Sequence, residues 1–457
     1  MSSVRTPLRP DTLLNIRNVL RFLIPSLAGI TIFLIPFRYD DTIHVGMSFM
    51  AGRMQDVLGG ALPIIAVTFF WISMLVTLWV KFRNPNWASG GIMHEIFHTN
   101  TFWLSLRIAG TLLATMTLIG IGPSFIISED TGGLMLNDLI TVLFAFFFFA
   151  ALCLPFLVDY GFMEFIGSMV RKPFRWLFNL PGRSAIDATA SWFGSGTVGV
   201  LITMQQYEKG FYSKRESAVI ATNFSIVSIA FSLVVINFVD LNHMFIPYYG
   251  TVVITGLITA IILPRIYPLS RKPDTYYEPV GRQLVEEKKF SGSFVRDSLL
   301  KALERAHNAP GIKGLAKSSF SNLADILLSL LPLVYAIGIM ALIIAEYTPL
   351  FTWLSWPVIP LLALLQIPEA AEAAPAVLIG FTDMFLPAIL ASGIESEFTR
   401  FVIAALSISQ LIYMSEVGAL ILKSKIPLNL LDLIVIFLLR TLISLPIITL
   451  MAHLFFF

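Results

Sequence analysis

The sequence predicts an all-α polytopic membrane protein, with about nine transmembrane helices plus two re-entrant helical hairpins in an inverted repeat. Three observations carry that expectation. Apolar residues make up 56% of the chain and charged residues 13%, with a mean hydropathy of +0.80. A soluble domain carries about 25% charged residues, and no soluble core of this length hides so much apolar surface. Apolar runs of about 20 residues, the length that crosses a bilayer, recur along the whole chain. Between them lie stretches that are equally apolar but interrupted by Pro, Gly and charge.

In chain order, the basic N-terminus "MSSVRTPLRPDTLLNIRNVLR" has no small-residue cleavage site after its apolar run. It reads as a cytoplasmic tail entering a first span, not as a removed signal. Spans are expected at 20–37, 60–80, 102–127, 138–158, 216–238, 247–264, 322–345, 399–421 and 429–455. Residues 1–150 supply N-terminal scaffold spans. If the nine cross alternately, nearly all of the 31 Lys and Arg residues fall on the cytoplasmic side, as the positive-inside bias requires. The C-terminus is then outside, in what would be a bacterial cytoplasmic (inner) membrane. The map closes only if 159–215 starts and ends inside and 346–398 starts and ends outside. The polar stretch 265–321 reads as a solvated cytoplasmic linker with one short amphipathic helix. One cysteine, Cys153, excludes an intrachain disulfide.

The two interrupted regions are related. "LPFLVDYG" from Leu154 matches "LPLVYAIG" from Leu331, "PFRWLF" matches "LFTWLS", and "GFYSKRESAVIATNFSIVSIAF" matches "GIESEFTRFVIAALSISQLIYM". Three crossings separate the copies, so the second, 322–457, is inverted relative to the first, 151–264. Inverted repeats with broken helices at matching places are the sequence pointer to a secondary transporter.

Each repeat contains a hairpin that has to turn within the membrane, 185–206 in the first and 370–394 in the second. The first turns at "GSGTVG", which has the G-x-G-x-x-G spacing of a dinucleotide loop but lacks the strand and acidic partner such a loop needs. Here Ser195 and Thr197 would bond backbone groups freed by the turn. The second turns at "GFTDMFLP", placing Thr382 and Asp383 at its tip; intramembrane carboxylates are costly and usually functional. Asp187, Glu369 and Glu372 lie nearer the hairpin mouths. The spans after the hairpins are polar for their depth, with Thr222, Asn223, Ser225, Ser228 and Ser232 in one and Ser407, Ser409, Gln410, Tyr413 and Glu416 in the other. Glu416 is a proton or cation site, or a partner for Lys423. The substrate or ion site expected from sequence is therefore Ser195, Thr197, Asn223, Ser225, Thr382, Asp383, Ser409, Gln410, Tyr413 and Glu416.

At these residues the chain resembles a known group. An interfacial helix, a re-entrant hairpin and a broken polar span, repeated in inverted form, are similar to the Gate or nucleoside recognition domain. Concentrative nucleoside transporters, part of the ferrous-iron permeases and YjiH-like bacterial inner-membrane proteins share it. The stretch "SWFGSGTVGVLITMQQYEKGFYSKRESAVIATNFSIVSIAF" looks most like the last of these, and the likeness covers about 154–455. The resemblance implies transport of a small polar solute (nucleoside, amino acid or small peptide) coupled to Na⁺ or H⁺ by alternating access, without a cofactor. Its partners would be that solute and the lipid bilayer, not nucleic acid, with homo-oligomerisation open. The first hairpin reads D-A-T-A-S-W-F-G-S-G-T-V-G and lacks the G-Q-T-E signature with which nucleoside transporters hold the base. The iron permeases' cysteines are also missing.

Two other classes remain. "HEIFH" at 94–98 matches H-E-x-x-H, in which His94 and His98 would hold zinc and Glu95 would act as base of a membrane metalloprotease. It lies in a polar connection rather than within a span, so ordinary interfacial histidines are the expectation, with no metal. A non-transporting membrane scaffold or accessory subunit is the other class, disfavoured because a scaffold need not keep helices broken in hydrocarbon.

Overall fold

Among the described residues seven helices are long and apolar enough to cross a membrane: Ile16–Phe33, Phe49–Arg83, Thr101–Ile119, Ser124–Val158, Asn242–Arg265, Lys313–Tyr347 and Leu430–Phe456. The structure is a computed structural model that describes residues 10–33, 35–39, 42–88, 90–193, 196–225, 227, 229–282, 294–309 and 311–456. Apart from one antiparallel ribbon, Pro36–Tyr39 with Thr42–Val45, the secondary structure of those residues is helical. That short ribbon leaves the all-α class intact.

Two of the nine expected spans are interrupted, as the broken polar spans of the resemblance imply. The run 216–238 is two helices, Lys214–Asn223 and Ile229–Phe238, and 399–421 is likewise two, Glu397–Ser409 and Val417–Lys423. Both breaks follow a helix end rich in Ser, Thr, Asn and Gln, whose side chains compete for backbone groups and satisfy those a break sets free. The third span, expected to reach 127, ends at Ile119. Gly120 (φ 66°) and Gly122 (φ 155°) leave the helical region there, and Pro123 has no N–H to continue the ladder. Residues 124–127 instead belong to the following helix, and a wide π segment, Glu129–Ile140, leads into Thr141–Val158.

From Thr141 onward the element order recurs: a long helix, a semi-exposed helix, a pair of short helices, a broken helix, a long helix. The first pair is Ser184–Phe193 with Gly196–Glu208, and the second is Ala370–Ile379 with Leu386–Ser392. The two sets interlock. One buried cluster joins Phe178, Tyr212, Ile220 and Phe224 of the first set to Ile412, Val417, Leu433 and Ile436 of the second.

The polar stretch 265–321 is docked rather than merely solvated. Its helix Phe294–His307 buries Leu300, Leu303 and Ala306 with Leu13 and Phe22. Arg305 reaches Asp159 at 3.2 Å and Glu164 at 3.5 Å. Earlier in the same stretch, Lys272 pairs with Asp432 at 2.8 Å, tying it to the start of the last helix.

Candidate functional site

The first broken helix is started by a capping box between Ser213 and Glu216 and runs for ten residues to Asn223. Near its end Thr222 donates to the Ala218 carbonyl at 2.8 Å and Ser225 to the Ala221 carbonyl at 2.5 Å. The Asn223 amide nitrogen donates to the Val219 carbonyl at 3.1 Å and to the Thr222 hydroxyl at 3.1 Å. These bonds leave the Asn223 Oδ1 turned outward as an acceptor. The second broken helix starts on the Ser396 cap and ends at Ser409. Beyond it Leu411 holds φ 60°, a left-handed conformation that costs a non-glycine residue about 1–2 kcal/mol and that clusters at functional sites. Tyr413 folds back, its hydroxyl donating to the Ser407 carbonyl at 2.7 Å.

Both helix ends meet one side chain. Arg440, from the last helix, donates through Nε to the Ser409 carbonyl at 2.5 Å and through Nη1 to the Asn223 Oδ1 at 3.2 Å. Its relative exposure is 0%, and no carboxylate lies within ion-pair distance of it among the described residues. Two helix C-termini help to compensate it, since each carries about half a negative charge on its free carbonyls.

Beside this junction lies a cavity of about 100 Å³, walled by Phe174, Trp192, Phe224 and Val252 and by Asn223, Ser409 and Arg440. By the same measure a single water needs about 10–15 Å³, so a small solute fits. The Trp192 indole donates to the Tyr249 hydroxyl and joins that wall to the long helix Phe245–Ile262.

On the other side of the second break sits Asp383, 4% exposed. Its carboxylate accepts from the Phe385 amide at 2.8 Å and the Ser415 hydroxyl at 2.7 Å. The unwound backbone pairs with the gap in the second hairpin, Met414 N–H to the Phe381 carbonyl at 2.9 Å and Ser415 N–H to the Thr382 carbonyl at 3.0 Å. Gln410 donates to the Val377 carbonyl at 2.8 Å and the Thr441 hydroxyl at 2.9 Å. Its Oε1 is buried with no hydrogen-bond partner and fills the space a side chain at Gly380 would need. Glu416 follows Ser415, half-buried, its carboxylate with no hydrogen bond or ion pair among the described residues.

The structure thus divides the residues expected from sequence. Asn223 and Ser409 meet at Arg440. Thr382, Asp383, Gln410, Tyr413 and Glu416 surround the gap of the second hairpin. The Ser225 hydroxyl is turned onto its own helix. Ser195 lies outside the described residues, as does the side chain of Thr197. Asp187 holds its hairpin together, accepting from the Tyr212 hydroxyl at 2.8 Å and the Thr203 hydroxyl at 3.3 Å. Glu416 does not pair with Lys423, whose Nζ instead lies 3.7 Å from the centre of the Trp103 ring. Arg440 is the cavity-lining residue that sequence reasoning missed. The signal that finds it is a lone cation ten residues into an apolar helix of 27 residues.

In HEIFH, His94 ends up within a short helix, Gly91–Phe97, and His98 just past it. The two rings stack with centroids 4.2 Å apart, and His98 Nε2 is 3.1 Å from the Asn84 Oδ1. Face-to-face rings point their lone pairs in parallel rather than at a common ion. The side chain of Glu95 lies outside the described residues.

A family model described as Gate, nucleoside recognition, matches residues 140–242. Residues 140–242 are a Gate, nucleoside recognition, domain. The matched stretch is the first set of elements, from the long helix Thr141–Val158 through the first hairpin and both pieces of the first broken helix. An uncharacterized protein of Alkalihalophilus pseudofirmus is 54% identical over 441 residues, covering 96% of this chain and 95% of its own length. No solved structure matches the chain.

Proposed function

We propose that this Gate-domain protein is a secondary active transporter of a small solute, not an enzyme, working by alternating access and coupled to Na⁺ or H⁺. The observation that carries the reading is the meeting of two helix breaks on Arg440. With a rise of about 1.5 Å per residue, Arg440 lies about 15 Å from the start of its helix. Asn223 is about as deep from the start of its own, and Ser409 is somewhat deeper from the opposite face. In a hydrocarbon core of about 30 Å all three sit near the midplane. Broken helices meeting at mid-depth between inverted repeats are how secondary transporters build a site.

In this reading 151–264 and 322–457 are inverted repeats, and the hairpins 185–206 and 370–394 enter from the cytoplasmic and outer faces. Residues 1–150 are the frame, and 265–321 links the repeats on the cytoplasmic side. Asp383 and Glu416, beside the second break, are the groups proposed to take the coupling ion. Asn223, Ser409 and Gln410 serve the solute, with Thr382, Ser225, Tyr413 and the first-hairpin residues Ser195 and Thr197 completing the enclosure. The protein resides in a bacterial cytoplasmic membrane, N-terminus inside.

The test is reconstitution into proteoliposomes with imposed Na⁺ or pH gradients and a panel of labelled nucleosides, amino acids, dipeptides and organic acids. Gradient-driven accumulation of one class is expected, reduced about tenfold or more in Asp383→Asn, because a hydrogen bond to a charged group contributes about 1.5–3 kcal/mol. If no solute accumulates under either gradient and none alters thermal stability, the transporter reading is wrong.

A further inference from the structure

We infer that the solute is a small monoanion, a carboxylate with an apolar body, and that Arg440 is the residue that binds its headgroup. The inference rests on the transporter reading for its setting and on the cavity for its chemistry.

Arg440 presents five N–H donors. The Ser409 carbonyl and the Asn223 Oδ1 take one each, and the other three have no acceptor among the described residues. A fully buried guanidinium beside a cavity with three donors uncommitted is an incomplete hydrogen-bonding site. The planar fork of a guanidinium matches the two oxygens of a carboxylate. Among the residues lining the cavity Arg440 is the one charged side chain, which suits a single negative charge better than two.

The rest of the wall selects the body of the solute. Phe174, Trp192, Phe224 and Val252 are apolar surfaces. The polar groups that do reach the wall are engaged: the Trp192 N–H on Tyr249, the Asn223 Oδ1 on Arg440, the Ser409 hydroxyl on the Ala405 carbonyl at 2.7 Å. The Thr189 hydroxyl is likewise bonded to the Ala185 carbonyl at 2.5 Å. A ribose would bring several hydroxyls to a wall with few free partners, each left unpaired at a cost of about 1–3 kcal/mol. A branched or aromatic acid leaves none unpaired. The helix C-termini at Asn223 and Ser409 partly compensate Arg440 when the cavity is empty, which keeps the anion loosely held and releasable.

Matched acid and amide pairs on the unmodified, detergent-purified protein test this directly. Phenylacetate and isovalerate, compared with phenylacetamide and isovaleramide by thermal shift and equilibrium binding, are expected to bind at least about tenfold more tightly than their amides. Arg440→Gln should abolish that preference, and Arg440→Lys should retain it in weakened form. Equal binding of acids and amides to the unmodified protein overturns the inference, whatever the variants do. So does binding of uridine in competition with the acids. Oleate binding without phenylacetate or isovalerate binding makes the cavity a lipid crevice and also overturns it. Counterflow in proteoliposomes separates the two levels. Acids that bind through Arg440 but are not exchanged would leave this site standing and sink the transporter. Exchange of a neutral or cationic solute that the acids do not inhibit would do the reverse.

Discussion

Asp187 and Asp383 are buried carboxylates with different supports, and the difference decides what each can do. Asp187 accepts from two side chains that belong to neighbouring pieces of chain, Thr203 and Tyr212, so it fastens the first hairpin to the turn after it. Tyr212→Phe removes the closer donor and should destabilise the protein by about 1–3 kcal/mol, read as a lower Tm with solute preference unchanged. A change in preference without loss of stability would move Asp187 into the solute site. Asp383 bonds the ends of its own hairpin gap and the break of the following helix. Its state is therefore coupled to whether that gap and that break stay together.

Local geometry at the element scale explains why the second hairpin and second broken helix act as one unit. Two backbone hydrogen bonds and the Gln410 side chain join them. Gly380→Ala would push the Gln410 carboxamide off the Val377 and Thr441 acceptors. A loss of about 1–3 kcal/mol is expected, together with weaker uptake; full uptake would show that Gln410 has room to move. Where the helix Phe294–His307 docks, burial pushes the Asp159 and Glu164 carboxyls above the usual carboxylate range while Arg305 draws them down. A carboxyl raised in the folded state binds protons on folding, so its contribution is lost as pH rises through the folded value. Arg305→Gln removes the downward pull. That variant should lose stability relative to the parent as pH rises above the usual carboxylate range in thermal melts. The effect is modest, on the order of 1 kcal/mol or less, because the pair is part-exposed. An offset that stays constant with pH would rule out this cluster as its source.

For the whole molecule, orientation is the property that charge sets. In a Cys153→Ala background, Glu278→Cys should be closed to a membrane-impermeant maleimide in intact cells and Gln366→Cys open to it. The opposite pattern would invert the topology and place the first hairpin on the outer face. Much of this arrangement is legible in the chain itself, for physical reasons. Hydrophobic length and the placement of Lys and Arg are properties of segments, and segments partition into a bilayer largely on their own account. The likeness between Gly210 onward and Gly393 onward, and the interruptions at GSGTVG and GFTDMFLP, are equally local. Other features depended on which segments meet. Where 216–238 and 399–421 break is not marked in their own residues, because a helix end inside the membrane is tolerated only when tertiary neighbours satisfy its carbonyls. Arg440 looked like a charge within a span until the fold set it between Asn223 and Ser409, 217 and 31 positions away in sequence. The sequence by itself determined a membrane bundle with two matched, interrupted halves. Only the tertiary structure decided where those interruptions converge, since a buried cation acquires its role from whatever lies beside it, and nothing in its own neighbourhood along the chain says what that is.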